Sequence, residues 1–409
     1  MVSQNIIDKL TKYHQLHLLK FYDGLTDLQQ KNLLAQIERI DFSLLDLIKQ
    51  KQKPAVKGRL APLAALTVDE IDVNRSVYQK IGLEAIKQNK VAAILLAGGQ
   101  GTRLGFDQPK GMLNIGIQKT LYLFEILIHN LLEVVKQADD TWLPLYIMTS
   151  KKNHIDTIEF LEEKQYFGYK KEFVFFYQQE MAPAVDFSGK IYLENPGNVS
   201  LSPNGNGGWF TSLQNAGLVE HMKQLGVEWL NIFSVDNPLQ RIADPVFIGA
   251  TLQHQCVSGA KVVRKAAPEE RVGVLCLEDD KPSIVEYYEL NEELINSRDC
   301  HGDLLYNWGV ILNYLFRLDK LEEISDKKMP VHIVEKKIPY VDDNGIAIQP
   351  DQPNGYKFEL LVLDMIHLMD HCLSFEVIRE KEFAPIKNSS GVDSLESARK
   401  LLQLNGIEL

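Results

Sequence analysis

From Val91 onward, short runs of consecutive apolar residues alternate with stretches in which apolar residues recur every three or four positions. The runs at 91–97, 143–149, 173–177 and 229–235 predict strands, and the stretches at 121–136, 155–166 and 210–224 predict helices. Such alternation points to βαβ units and a doubly wound, Rossmann-like α/β sheet, mainly parallel. After Gly259 the pattern changes to hairpin-like strands at 261–265, 272–277 and 283–288, which makes the expected sheet mixed, and the chain closes on a helix near 394–402.

Ahead of this core, residues 6–48 carry apolar positions at helical spacing, among them Leu18, Phe21, Tyr22 and Leu25, then Leu33, Leu34, Ile37 and Ile40. Residues 51–62 are basic, proline-containing and aperiodic, the signature of a linker before a helix at 71–88. The expected organisation is therefore a helical N-terminal extension and linker over 1–88, one large α/β domain over 89–390 that changes character at about 258, and a short C-terminal helix within 391–409.

The chain has 409 residues, 45% hydrophobic and 24% charged, with a formal net charge of −11. An acidic chain repels polyanions, so neither nucleic acid nor an anionic membrane is an expected partner, while a small anionic ligand needs a local concentration of cations. No secretory signal and no apolar run of membrane-spanning length is present in the sequence. Cys256, Cys276, Cys300 and Cys372 form no CxxC pair, so reduced thiols and a cytoplasmic location are expected. His14, His17 and His332 lack metal-ligand spacing, and no Gly-x-Ser-x-Gly elbow or Cys-His signature marks a covalent nucleophile.

The first predicted strand runs into Leu96-Ala97-Gly98-Gly99-Gln100-Gly101-Thr102-Arg103-Leu104-Gly105, followed by Pro109-Lys110-Gly111. Side-chain-free positions at Gly98, Gly99 and Gly101 let backbone N–H groups approach a nucleotide, and Arg103 and Lys110 bring positive charge to its phosphates. A dinucleotide fingerprint needs its third glycine where Leu104 stands, so a ligand richer in phosphate is favoured. Open α/β sheets bind ligands at the carboxyl ends of their strands, which brings Gly98, Gln179 and Asp236 toward one crevice. Asp236 opens a turn toward Pro238. Its carboxylate can hold Mg²⁺ shared with substrate phosphates, or serve as a turn or capping residue. The loop Ser202-Pro203-Asn204-Gly205-Asn206-Gly207-Gly208 reads equally as a ligand loop or a flexible cap. Taken alone, Glu286 reads as a solvated strand residue and Lys387 as a surface charge.

These blocks resemble the signature of the eukaryotic-type UDP-sugar pyrophosphorylases, and among them the UDP-N-acetylhexosamine pyrophosphorylases. Further matching blocks run almost to the C-terminus: Tyr146-Ile147-Met148-Thr149-Ser150, Val235-Asp236-Asn237, Val285-Glu286-Tyr287, Pro353-Asn354-Gly355-Tyr356-Lys357 and Pro385-Ile386-Lys387-Asn388. The resemblance implies a nucleotide-diphospho-sugar transferase fold and a uridylyltransferase that makes a UDP-hexosamine and pyrophosphate from UTP and a sugar 1-phosphate. It implies catalytic roles for Arg103, Lys110 and Lys387, and nucleotide contacts from Ala97, Gly98, Gly99, Gln179, Gly205 and Asp236, with Gln178 a neighbouring competitor for Gln179. It further implies sugar contacts from Asn206, Gly273, Glu286, Asn307 and Lys357, and Mg²⁺, with Mn²⁺ as an alternative, on Asp236.

Two departures stand out. The family commonly has Asn-Ala-Gly-Asn where this chain has Asn307-Trp308-Gly309-Val310, so an amide facing the sugar is replaced by an isopropyl group. A β-rich C-terminal domain of eukaryotic members has no counterpart before Leu409, which favours a monomer. The rival readings are a glucose 1-phosphate or broad UDP-sugar pyrophosphorylase and a UDP-sugar-binding protein without turnover.

Overall fold

Every residue of the strand Val91–Leu96 is buried, because neighbours cover both of its faces. In this computed structural model, which describes residues 2–50, 58–325, 327 and 329–409, Trp229–Ser234 runs parallel to it on one side, with Ser234 opposite Leu96. Leu145–Thr149 runs parallel on the other side, with Met148 opposite Leu96, and Val174–Gln178 lies beyond, with Gln178 opposite Thr149. In-register parallel strands end together, so the residues after Leu96, Thr149, Gln178 and Ser234 emerge at one edge of the sheet.

The antiparallel part is organised by Trp308–Arg317, a ten-residue strand that pairs with Trp229–Ser234 and with Ser258–Arg264. Ser258–Arg264 in turn pairs in parallel with Cys372–Glu376, and the hairpin Val274–Glu278 with Lys281–Val285 joins through Val274 opposite Gly309. With Leu60–Ala61, which pairs antiparallel with Val274–Glu278, these make a mixed sheet of ten strands among the described residues. Alternate residues serve opposite faces. Val91, Ala93 and Leu95 join Phe124, Leu127, Leu131 and Phe247 in one core cluster, whereas Phe316, next to Leu315 of that cluster, carries Trp209 from a helix on the other face, with ring centroids 6.4 Å apart. Helices thus cover both faces, the doubly wound arrangement.

Several elements differ from the periodicity. The helix expected over 210–224 is two, Trp209–Asn215 and Leu218–Gln224, because Gly217 takes a left-handed φ of 72° between them. Trp308–Arg317 and Cys372–Glu376 fall in a stretch whose pattern gives no clear period. The first contains a positive φ of 54° at Leu312, in the interval where the pairing register jumps between Ala260 and Val262, so its alternation is interrupted by a bulge. The helix Val68–Lys87 starts at a capping box formed by Thr67 and Glu70. It packs backbone to backbone on Pro245–Gln253, where a side chain at Gly82 would strike the Pro245 carbonyl and one at Gly249 the Tyr78 carbonyl.

The chain divides into two compact units. The larger comprises Lys57–Gln179, Trp209–Lys328 and Leu363–Leu409, and contains the sheet just described. The smaller draws on Met1–Val56, Glu180–Gly208 and Met329–Val362. The expected extension at 1–88 is therefore shared between them, and residues 51–57 of the expected linker lie outside the described residues. Within the smaller unit, the helices Gln4–Lys12, Asp27–Arg39 and Leu44–Gln50 bury Ile6, Leu10, Leu33, Ile37 and Leu45 against Val185, Leu193 and Phe358. A short antiparallel sheet of His332–Lys336, Gly355–Glu359 and Val185–Asp186 belongs to the same unit.

Candidate active site

The strand Val91–Leu96 delivers Ala97 and the glycine loop to the sheet edge in the larger unit. The loop is closed by Gly101 N–H donating to the Gln108 carbonyl at 3.1 Å and Lys110 N–H to the Gly99 carbonyl at 3.2 Å. Asn153, fully buried, fixes its outer side: Nδ2 donates to the Ala97 carbonyl at 2.9 Å and the Gly99 carbonyl at 3.4 Å, while Oδ1 accepts from Ser150 N–H at 2.7 Å. These bonds hold the Ala97 and Gly99 carbonyls and so fix the backbone on either side of Gly98. Asn153 was not singled out in the sequence; the only local signal is the Thr149-Ser150-x-x-Asn153 block after a strand. Its replacement by alanine is expected to cut kcat/KM about tenfold and to lower stability by about 1–3 kcal/mol, because the Ala97 carbonyl loses its donor and the Ser150 N–H its acceptor. Steady-state kinetics beside urea unfolding checks both.

Gly98 is needed for a close approach. A Cβ there would lie 2.8 Å from Nε2 of Gln179, whose own N–H donates to the Thr149 carbonyl at 2.8 Å. Gln179 is buried and Gln178 exposed, so of the two amides it is Gln179 that faces the loop. Nothing lies within 4 Å of the Cβ position of Gly99, the open side of the loop.

Lys110 reaches across to Asp236, with Nζ 2.6 Å from Oδ1. The lysine side chain is 10% exposed and the carboxylate 33%, so solvent reaches the pair chiefly through the carboxylate. Ile386 N–H donates to the Asp236 carbonyl at 2.9 Å, which brings Lys387, distant in sequence, into the same neighbourhood. The Lys387 ammonium, 43% exposed, lies 3.8 Å from Asp393, whose carboxyl is raised by burial against the opposing pull of Lys387. Arg103 sits exposed on the short turn Thr102–Leu104. Ala97, Gly98, Gly99, Lys110, Gln179, Asp236 and the Lys387 segment thus belong to one constellation at the carboxyl ends of parallel strands.

The residues assigned to the sugar divide differently. Gly273, in the larger unit, accepts from Val310 N–H at 2.9 Å, and a Cβ on it would lie 3.0 Å from Ile284 and 3.3 Å from Val310. Asn307 is buried, its Oδ1 accepting from Lys265 N–H at 3.0 Å. Trp308 lies under the Arg264 guanidinium, 4.9 Å from ring to cation. Glu286 is half-buried just after the strand Lys281–Val285, its N–H donating to Glu289 at 2.9 Å.

Gly205, Asn206 and Lys357 belong to the smaller unit. Gly205 has a φ of 87° and lies against the Leu360 carbonyl, so its backbone conformation excludes a side chain. Asn206 Oδ1 accepts from Val362 N–H at 3.0 Å, so half of its amide already serves the loop. Lys357 is half-buried on Gly355–Glu359; burial, reinforced by Lys336, pushes its ammonium below the usual lysine range.

Comparison with known proteins shows the family. Residues 47–407 match the family model described as UTP–glucose-1-phosphate uridylyltransferase. The chain is 38% identical over 415 residues to the mouse UDP-N-acetylhexosamine pyrophosphorylase-like protein 1, covering 96% of this chain and 82% of that protein. It is 36% identical over 404 residues to the UDP-N-acetylglucosamine pyrophosphorylase of Saccharomyces cerevisiae, covering 92% and 84% respectively. The crystal structure of the Trypanosoma brucei uridine diphosphate N-acetylglucosamine pyrophosphorylase in complex with an inhibitor superimposes with a TM-score of 0.84 at 28% identity, over 98% of this chain and 85% of that one.

Proposed function

The chain belongs to the UTP–glucose-1-phosphate uridylyltransferase family, and on that premise we propose that it is the uridylyltransferase that makes UDP-N-acetylglucosamine or UDP-N-acetylgalactosamine from UTP and the hexosamine 1-phosphate. The observation that carries the reading is the Lys110–Asp236 pair at the mouth of a glycine loop held from behind by Asn153. A phosphate oxygen of the sugar 1-phosphate attacks the α-phosphorus of UTP. The bond from that phosphorus to the bridging oxygen breaks, and pyrophosphate leaves with the electron pair. No covalent nucleophile is required, so the protein's contribution is positioning and charge neutralisation.

In this proposal Arg103 grips the leaving pyrophosphate, Lys110 and Lys387 neutralise the reacting phosphates, and Gln179 reads the uracil edge with an amide that both donates and accepts. Glu286, Gly273 and Asn307 as sugar contacts, with Gly205 at the uracil and Asn206 and Lys357 at the sugar, are parts of the same reading, as is a cytoplasmic monomer with no nucleic-acid or membrane partner. No described helix is long and apolar enough to cross a membrane.

Among the described residues no group of three or more His, Cys, Asp or Glu side chains is placed to hold a metal. Mg²⁺ needs no such cage: it keeps several waters and joins one or two carboxylates to substrate phosphates. Asp236 supplies one hard, partly accessible carboxylate, which fits that mode; bound there, the ion would neutralise phosphate charge. Asp236→Asn should raise the Mg²⁺ concentration for half-maximal rate about tenfold or more; an unchanged metal titration removes Asp236 as a ligand.

The reading as a whole is tested by pyrophosphate release from UTP and Mg²⁺ with GlcNAc-1-phosphate, GalNAc-1-phosphate and glucose 1-phosphate. Faster release with an N-acetylhexosamine is the expected outcome. Preference for glucose 1-phosphate is the outcome that Val310 beside Gly273 would favour, and silence with all three despite UDP-sugar binding would overturn turnover altogether.

A further inference from the structure

The segment that carries Lys387 has no strand of its own to fix it against Asp236, yet it is tied there by the residue next to Asp236. Asn237, 2% exposed, donates through Nδ2 to the Glu382 carbonyl at 2.7 Å and accepts at Oδ1 from Ala384 N–H at 2.9 Å. One carboxamide thus satisfies two backbone groups of the same segment, as a neighbouring strand would. Ile386 N–H then donates to the Asp236 carbonyl at 2.9 Å, and Lys387 follows directly. Around the turn, Gln240 Nε2 donates to the Ser234 carbonyl at 2.6 Å and the Asn237 carbonyl at 2.8 Å, so the carboxamide projects from a fixed backbone.

We propose that Asn237 is a positioning residue: it holds the 382–387 segment so that the Lys387 ammonium is set relative to the carboxylate of Asp236. The proposal rests on the uridylyltransferase reading for its consequence, but not for the linkage. The pair of contacts needs a donor and an acceptor side by side on one short side chain, which the amide supplies. A carboxylate cannot donate to the Glu382 carbonyl, and a hydroxyl is too short to span both partners. Misplacing a charge by about 1 Å can cost about 10²-fold in rate, so the latch serves catalysis as well as folding.

The test uses the full chain carrying Asn237→Ala and, in case that variant does not fold, Asn237→Asp, which keeps the bond from Ala384. Hydrogen–deuterium exchange of peptides covering 382–388 should accelerate in either variant relative to the helix Leu395–Leu404. In turnover, Asn237→Ala should lower kcat about 10-fold to 10²-fold with KM for UTP little changed. In a Lys387→Ala background the same substitution should have almost no effect, because the cation that it positions is gone. Unchanged exchange over 382–388, or a loss of kcat equal in both backgrounds, overturns the proposal. A wild-type protein that releases no pyrophosphate with any sugar phosphate would sink the function instead, and exchange would still decide the latch.

Discussion

Lys110→Ala is expected to lower kcat by about 10²-fold or more while the thermal midpoint moves little. The two halves of this expectation have separate causes. The ammonium lies 2.6 Å from the Asp236 carboxylate, but that carboxylate is 33% exposed, so water can replace the lysine in the folded protein. An ion pair open to solvent on one side contributes about 1 kcal/mol or less to stability. In the proposed reaction the same cation faces the charge that develops as pyrophosphate departs. Removing one preorganised partner of that kind typically costs about 2.7–4 kcal/mol of transition-state stabilisation. The effect should fall on kcat and kcat/KM together, the pattern of an interaction made chiefly in the transition state. Lys110→Arg is a sharper probe of geometry, because a planar guanidinium keeps the charge but cannot present it as a compact ammonium beside Asp236. It should recover only part of the rate. Unaltered turnover of Lys110→Ala, measured by pyrophosphate release, removes Lys110 from the chemistry.

Much of this site was legible in the chain because its parts are local. The run at 91–97, the glycines after it and the cations at 103 and 110 fall within some twenty residues. A buried parallel strand announces where such a loop must emerge. Gln179 and Asp236 were legible for the same reason, each standing just past an apolar run. What could not be read is long-range. Nothing near Asn153 states that its amide returns to the carbonyls of Ala97 and Gly99, more than fifty positions earlier. Nothing near Asn237 states that the chain at 382–384 will lie against it. The strand Trp308–Arg317 was obscured by its own irregularity, since a bulge at Leu312 breaks the period that would have marked it. In each case the missing information is a pairing between distant segments, which local propensity does not encode.

The largest effect on stability is expected from a lysine that takes no part in the reaction. Lys261 is fully buried in the strand Ser258–Arg264. Its ammonium donates to Asp244 at 2.8 Å, to Glu382 at 2.7 Å and to the Arg241 carbonyl at 3.2 Å. Asp244 in turn caps the helix Pro245–Gln253 through Val246 N–H at 3.0 Å, and Glu382 belongs to the segment held by Asn237. Lys261→Met keeps most of the volume and removes the charge. Two buried carboxylates then face each other, with the Arg241 guanidinium 3.7 Å from Glu382 but 52% exposed. Breaking a buried ion pair by deleting one partner costs about 3–5 kcal/mol. The pH dependence distinguishes this cause from a packing defect. Burial works to raise the pKa of Asp244, but Lys261, and then Arg241, outweigh it and hold the carboxyl below its ordinary value. A group whose folded pKa is depressed stabilises the protein above its unfolded pKa, about 3.9 for Asp, and this contribution is lost as pH falls through the folded value. In Lys261→Met burial prevails, the carboxyl is raised, and protonation relieves the folded state. The gap between wild type and variant, measured by urea unfolding, should therefore be widest near neutrality and close as pH falls toward about 4. A gap independent of pH would assign the loss to packing alone. Adding Glu382→Gln to Lys261→Met should recover part of the stability near neutrality, since a neutral amide leaves one buried charge fewer to repel Asp244.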